Sequence, residues 1–384
     1  MPPVNRFHLA IPFNRPFATG AEFGYIREAI DGLQLSGNGR FARQCSAWLQ
    51  EQTGAGAALL TPSCTAALEL AALLAEIGPG DEVIMPSFTF SSTATAFALR
   101  GATPVFVDIR PDTLNIDEEA VAPAVTDRTR AIVPIHYAGV PAELDSLAAT
   151  ARAAGAVLIE DAAHALGSTY RGRPVGGDGE LAALSFHETK NLTCGEGGAL
   201  LINNPTLVER AEIMQEKGTD RARLFRGEVD KYTWVDIGSS FLLSEISAAF
   251  LWAQFESADE ILRRRFEIWD AYHAALAPLE EAGLLRRPVV PAHCTHSAHL
   301  YYLLLPDEAA RDSLIECLRA ESIAAIFHYL PLHSSRAGKL YGRSHGALSV
   351  TDDVSGRLVR LPLWVGMGSA EIERVVQAVE TALG

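Results

Sequence analysis

The sequence predicts an α/β protein: a mostly parallel central sheet flanked by helices, followed by a smaller C-terminal α+β domain. Three observations lead there. Between residues 57 and 205 short apolar runs alternate with helical patterns, the pattern of a parallel sheet covered on both faces. From 205 to 285 helical periodicity takes over. The stretch RRPVVPAHCTHSAH (286–299) then has the proline content of a linker, and strand and helix patterns resume after it. A length of 384 residues suits two domains, drawn here at 1–285 and 286–384.

In chain order, AALL (57–60) reads as a strand running into the helical TAALELAALLAEI, and GPGDEVIMP turns into a second strand. SSTATAFALR follows as a helix, ATPVFVDI and RAIVPIHY as strands, AELDSLAATARAAG as a helix and AVLIED as a strand. Beyond residue 205, FESADEILRRRFEIWDAYHAALAPL reads as one long amphipathic stretch. LYYLLLP is the strand of the small domain, with helices near 308–320 and 370–382.

Lys plus Arg number 32 against 47 Asp plus Glu, a net charge of −15. That disfavours broad contact with nucleic acid or an anionic membrane. The segment MPPVNRFHLAIPFNRPF lacks the basic-then-apolar pattern of a signal peptide, and no apolar run approaches the roughly 18 residues of a membrane span. A cytoplasmic protein is expected. The five cysteines are scattered without a CxxC pair, which argues against a disulfide framework or a structural zinc site; no metal is expected.

Ligands of such sheets bind at the carboxyl ends of the strands, so the candidates lie just after strands. Lys190, in SFHETKNLTCGEGGALL, is one of only four lysines in a chain that otherwise uses arginine. A primary amine can condense with an aldehyde; a guanidinium cannot. Asp161 closes AVLIED and suits either a helix cap or a carboxylate that keeps a pyridine nitrogen protonated, while Glu160 points to the opposite face. Ser63, Cys64 and Thr65 sit between a strand and a helix, where backbone N–H groups can receive a phosphate or simply be capped. Ser185 lies at a strand end five residues before Lys190. GEGGAL supplies backbone where a bulky side chain would crowd the lysine loop, and its glycines lack the GxGxxG spacing of a dinucleotide site. Phe88 or Phe90 can stack on a flat cofactor or pack in the core, and His164 can donate to a ring oxygen or be an ordinary buried histidine. One pyridoxal 5'-phosphate site is the economical account of these residues together.

The segments TPSCTAALE, GDEVIMPSFTF, EDAAHALGSTYRGRPVG, SFHETKN, GEGGALL and FHYLPLH, with others from IPFN to RLPLW, resemble the sugar-nucleotide aminotransferases of the DegT/DnrJ type. These are fold-type I pyridoxal phosphate transferases, and the likeness covers essentially the whole chain. SFHETKN and VDKYTWVDIGSS look most like the branch acting on TDP-4-oxo-6-deoxy-D-glucose with L-glutamate as donor. The resemblance implies that Lys190 is the Schiff-base lysine and Asp161 the partner of the pyridine nitrogen. His164 would stand where relatives often carry Gln against the ring oxygen, Ser185 and the Cys64–Thr65 turn would hold the phosphate, and Phe90 would stack on the ring. It further implies a homodimer in which the neighbouring subunit reaches the phosphate; Ser240 in DIGSS stands where the family often has Asn. His328 and Tyr329 would border the sugar-nucleotide pocket. Dehydratase relatives with His for the lysine are disfavoured by Lys190, an oxidoreductase by the missing GxGxxG, and a non-catalytic scaffold by the presence of both Lys190 and Asp161; action at C3 of a sugar stays open.

Overall fold

A computed structural model describes residues 9–384. Its main sheet has eight strands in the order β1-β9-β8-β5-β4-β2-β3-β12. These are β1 (Ala57–Thr61), β2 (Glu82–Pro86), β3 (Thr103–Val107), β4 (Thr129–Ile132), β5 (Val157–Asp161), β8 (Leu181–Ser185), β9 (Gly198–Ile202) and the short β12 (Arg343–Ser344). Five of the pairings are parallel, and only β9 runs against its neighbours β1 and β8. The strands are buried nearly throughout, which is why they read as continuous apolar runs rather than alternating ones. Helices cover both faces: Cys64–Leu74 and Ser91–Ala98 pack over one apolar cluster, while Leu144–Ala154 contributes Leu147 and Ala151 to another.

β6 (Thr169–Tyr170), β7 (Arg173–Pro174) and β10 (Cys294–Thr295) form a small three-stranded sheet, and β11 (Tyr301–Leu304) pairs with β13 (Leu358–Leu361). The helices Glu308–Ala320 and Ser369–Leu383 lie where the sequence puts them. The long amphipathic stretch departs from its reading. It is broken into Glu245–Glu256, Ala258–Ala275 and Ala277–Glu281, because Ser257 (φ −106°, ψ 11°) leaves the helical region. The apolar side then changes core along the stretch: Ala258 and Ile261 still face the same cluster as the first piece, while the rest of the second helix and Leu279 of the third face another. Phe255 joins the cluster under the first helices, whereas Ile268, Trp269 and Tyr272 join Leu303, Leu318 and Val375 around β11. Burying such side chains contributes about 1.5–3 kcal/mol each, so these helices are tied firmly to what they cover. No helix of the described residues is long and apolar enough to cross a membrane.

Candidate active site

The carboxyl ends of β5 and β8 open onto a cavity of about 550 Å³. A loop from Phe186 to Gly197 carries Lys190 over it, closed by backbone bonds Phe186 N–H to Gly197 (2.8 Å) and Glu188 N–H to Gly195 (2.8 Å). Lys190 reaches the cavity floor, where burial draws its ammonium down to about 8 against the opposing pull of Cys64 and Asp161. Asp161, the last residue of β5, is 6% exposed. It accepts from Thr93 Oγ1 at 2.8 Å and from the Ala163 N–H at 3.2 Å. Burial raises its pKa above the ordinary value, and these bonds and the Lys190 charge only partly offset that. An amine and a carboxylate held in one desolvated cavity, with pKa values pushed toward each other, are the mark of a reactive site.

The other end of the cavity follows from strand geometry. β1 delivers Ser63 as the cap of the helix Cys64–Leu74, its Oγ accepting from the Ala66 N–H at 3.1 Å. Thr65 donates to Ser92 Oγ at 2.7 Å, and Ser185 ends β8; all line the cavity. Burial raises the Cys64 thiol well above its usual range, so it is no ready nucleophile. The glycines of GEGG serve two purposes: a Cβ on Gly197 would crowd Cys194 of the lysine loop, as expected. A Cβ on Gly198 would instead run into the Ser63–Cys64 peptide, so this second glycine lets β9 approach the turn that opens the helix Cys64–Leu74.

The two phenylalanines separate cleanly. Phe88 is 1% exposed and packs on Tyr137 and Tyr329, whereas Phe90 caps the helix Ser91–Ala98 and is 61% exposed at the cavity. His164, His328 and Tyr329 line the same cavity; the His328 Nδ1 meets the Tyr137 hydroxyl at 3.1 Å. Ser240 lies apart from it, exposed and bridged to Glu216, so within one chain it touches none of the other candidates. Residues the sequence reading missed are Thr93, His299 and Arg360. Thr93 had a signal, since it lies one helical turn from Thr89 in FTFSSTA and its hydroxyl meets Thr89 at 2.9 Å. His299 and Arg360 come from the last hundred residues, far along the chain, with no local pattern to mark them.

The residue set fits pyridoxal phosphate. An amine and a carboxylate share one floor, an exposed aromatic face stands above, and a helix N-terminus with hydroxyls lies at one end. No group of three or more metal-ligating side chains occurs among the described residues. Residues 18–380 match the DegT/DnrJ/EryC1/StrS aminotransferase family. Solved structures agree over nearly the whole chain. The aminotransferase TlmJ from Streptoalloteichus hindustanus is 32% identical, with 97% of this chain and 98% of that chain aligned and a TM-score of 0.89. DesV from S. venezuelae is 31% identical (97% and 98% aligned, TM-score 0.86). The PMP form of Spr1654 from Streptococcus pneumoniae is 27% identical (97% and 98% aligned, TM-score 0.89).

Proposed function

Because the chain belongs to the DegT/DnrJ/EryC1/StrS aminotransferase family, we propose that it transfers the amino group of L-glutamate to C4 of TDP-4-oxo-6-deoxy-D-glucose. The product would be a TDP-4-amino-4,6-dideoxy-D-hexose. Membership makes it a pyridoxal phosphate-dependent sugar aminotransferase. The observation that carries the reading is Lys190 set against Asp161 in a desolvated cavity beside a capped helix N-terminus. The finer choice of substrate is supported by SFHETKN, VDKYTWVDIGSS and FHYLPLH.

When bound, pyridoxal phosphate supplies an electron sink that acidifies the hydrogen on the donor's Cα. Lys190 would hold the cofactor and take that proton as general base; drawn down to about 8, its amine is unprotonated in a far larger share near neutrality than that of an ordinary lysine. Asp161 pairs with the ring nitrogen, whose charge holds the carboxylate ionised despite burial. His164 meets the ring oxygen, Phe90 covers the ring face, and Ser185 with the Cys64–Thr65 turn holds the phosphate. His328 and Tyr329 border the sugar nucleotide.

A homodimer completes this reading. Phe225, Tyr232, Trp234, Val235 and Ile237 form an exposed apolar run immediately before Ser240, a patch that water leaves costly and that a second copy would cover. The test incubates the purified protein with pyridoxal phosphate, L-glutamate and the keto sugar, then reads the product by mass spectrometry and the H3–H4 coupling. An amine product is expected, a small coupling meaning galacto and a large one gluco. No product from protein that visibly holds the cofactor would overturn this substrate.

A further inference from the structure

The loop that carries Lys190 is tied to the small domain by its next residue. Asn191 donates through Nδ2 to the Ser297 carbonyl at 2.7 Å. A carbonyl only accepts, so the amide oxygen must face the other way, and there it meets His299 Nδ1 at 3.0 Å. An amide oxygen also only accepts, so the hydrogen lies on His299 Nδ1. The segment is gripped from behind, since buried Arg265 donates to the carbonyls of Ala298 (3.1 Å) and His299 (2.5 Å). Ser297 reaches forward and donates to the His164 carbonyl at 2.6 Å, space for it being left by Gly139 at φ +85°.

The ring of His299 lies face to face with that of His164, centroids 4.2 Å apart and planes 27° apart. Among the described residues no hydrogen bond holds the His164 ring: its Nδ1 is buried and meets no partner there. Both histidines are held well below their ordinary pKa, first by burial, then by charges that include Lys190 and Arg360. A proton on either ring would therefore be set against the other ring, Lys190 and Arg360, so the stack favours two neutral imidazoles.

We propose that His299 is a positioning residue: locked as the Nδ1–H tautomer by Asn191 and stacked on His164, it sets the plane of His164 beside Lys190. That His164 in turn meets the cofactor's ring oxygen rests on the function proposed above. The stack itself needs no cofactor, which makes the two separable.

The test has two parts. Cofactor-free protein labelled with 15N-histidine is compared with His299→Phe to assign the His299 signal, which is expected to show a protonated Nδ1 and a bare Nε2 from pH 6 to pH 8. Asn191→Ala should convert that signal toward the opposite tautomer. Next, the pH midpoint of the visible absorbance of the pyridoxal phosphate-loaded protein is measured. It should move by about half a unit or more in His299→Ala and Asn191→Ala, and by less in His299→Phe, which retains a stacking face. A bare Nδ1 on His299 in the native protein, or a midpoint unmoved in all three variants, overturns the proposal. A native loaded protein with no visible Schiff-base band would instead overturn the reading of Lys190; in that case, or where the band does not titrate, the tautomer and its dependence on Asn191 decide the role of His299.

Discussion

Glu160 and Asp161 are neighbours at the end of β5, and the strand sends one side chain to each face of the sheet. Both are buried carboxylates with a histidine nearby, yet their surroundings differ. Glu160 accepts from His136 Nε2 (3.0 Å) and from the N–H groups of Gly176 (3.0 Å), Asp178 (3.1 Å) and Gly179 (2.7 Å). His136 is itself oriented, its Nδ1 accepting from the Ala142 N–H at 3.1 Å. Burial pushes Glu160 up, but His136 and these N–H groups outweigh it and hold the carboxyl below its ordinary value. Asp161 has only Thr93 and Ala163, and its pKa stays raised. A carboxylate with its bonds complete is scaffold; one left short is waiting for a charged partner.

The sharpest way to break this contrast is to remove the amine on the Asp161 side. Lys190→Ala should lower transaminase turnover at least about 10³-fold while the circular dichroism melting midpoint is kept. Turnover near the native rate would erase the distinction between the two faces. On the other side, Glu160→Ala leaves buried His136 and three N–H groups without their acceptor and should cost about 3–5 kcal/mol in urea unfolding. Activity per folded molecule should survive. An unaltered urea midpoint would mean that the Glu160 network is not the scaffold proposed.

A third measurement uses pH. The folded-state pKa of Lys190, about 8, lies below the unfolded value of about 10.4, so between them the unfolded chain binds more protons. The Lys190 contribution to stability should therefore rise with pH across that window in cofactor-free protein. Lys190→Met should remove this rise and be more stable than the native protein at pH 7 by about 1–3 kcal/mol, read as the difference between paired urea titrations. Equal stability of the two at pH 7 would show that the amine is not desolvated. The smallest effect is expected far from both faces. Arg40→Ala breaks the exposed Arg40–Glu28 pair (2.9 Å) and should cost less than about 0.5 kcal/mol; a larger loss would show that surface pairs matter here as the buried ones do.

Much of this site was readable before any coordinates. Lys190 stood out because lysine is rare in this chain, and Asp161, Thr65 and Ser185 because each follows a strand in a sheet that binds ligands at strand ends. Choosing Phe90 over Phe88 was different. Both lie in FTF after β2, and strand and helix patterns do not separate them; the resemblance points to Phe90, and the packing of Phe88 on Tyr137 and Tyr329 takes the other ring into the core. The break at Ser257 was equally hidden, since the amphipathic pattern runs through it while the second helix goes on, from Ile268, to a core the first does not reach.

The sequence by itself determined the alternation of strands and helices, the strand-end placement of the amine and the carboxylate, and the family. These follow from local periodicity and from chemistry only certain residue types can perform. The tertiary structure alone decided which groups meet across the domains: His299 on His164, Asn191 on Ser297, and Arg360 in the pocket of Lys190. All three contacts join residues at least 106 positions apart, and no period or spacing encodes them. They exist because the core around β11 brings the C-terminal strands against the ends of the main sheet, and the burial that results shifts the pKa of Lys190.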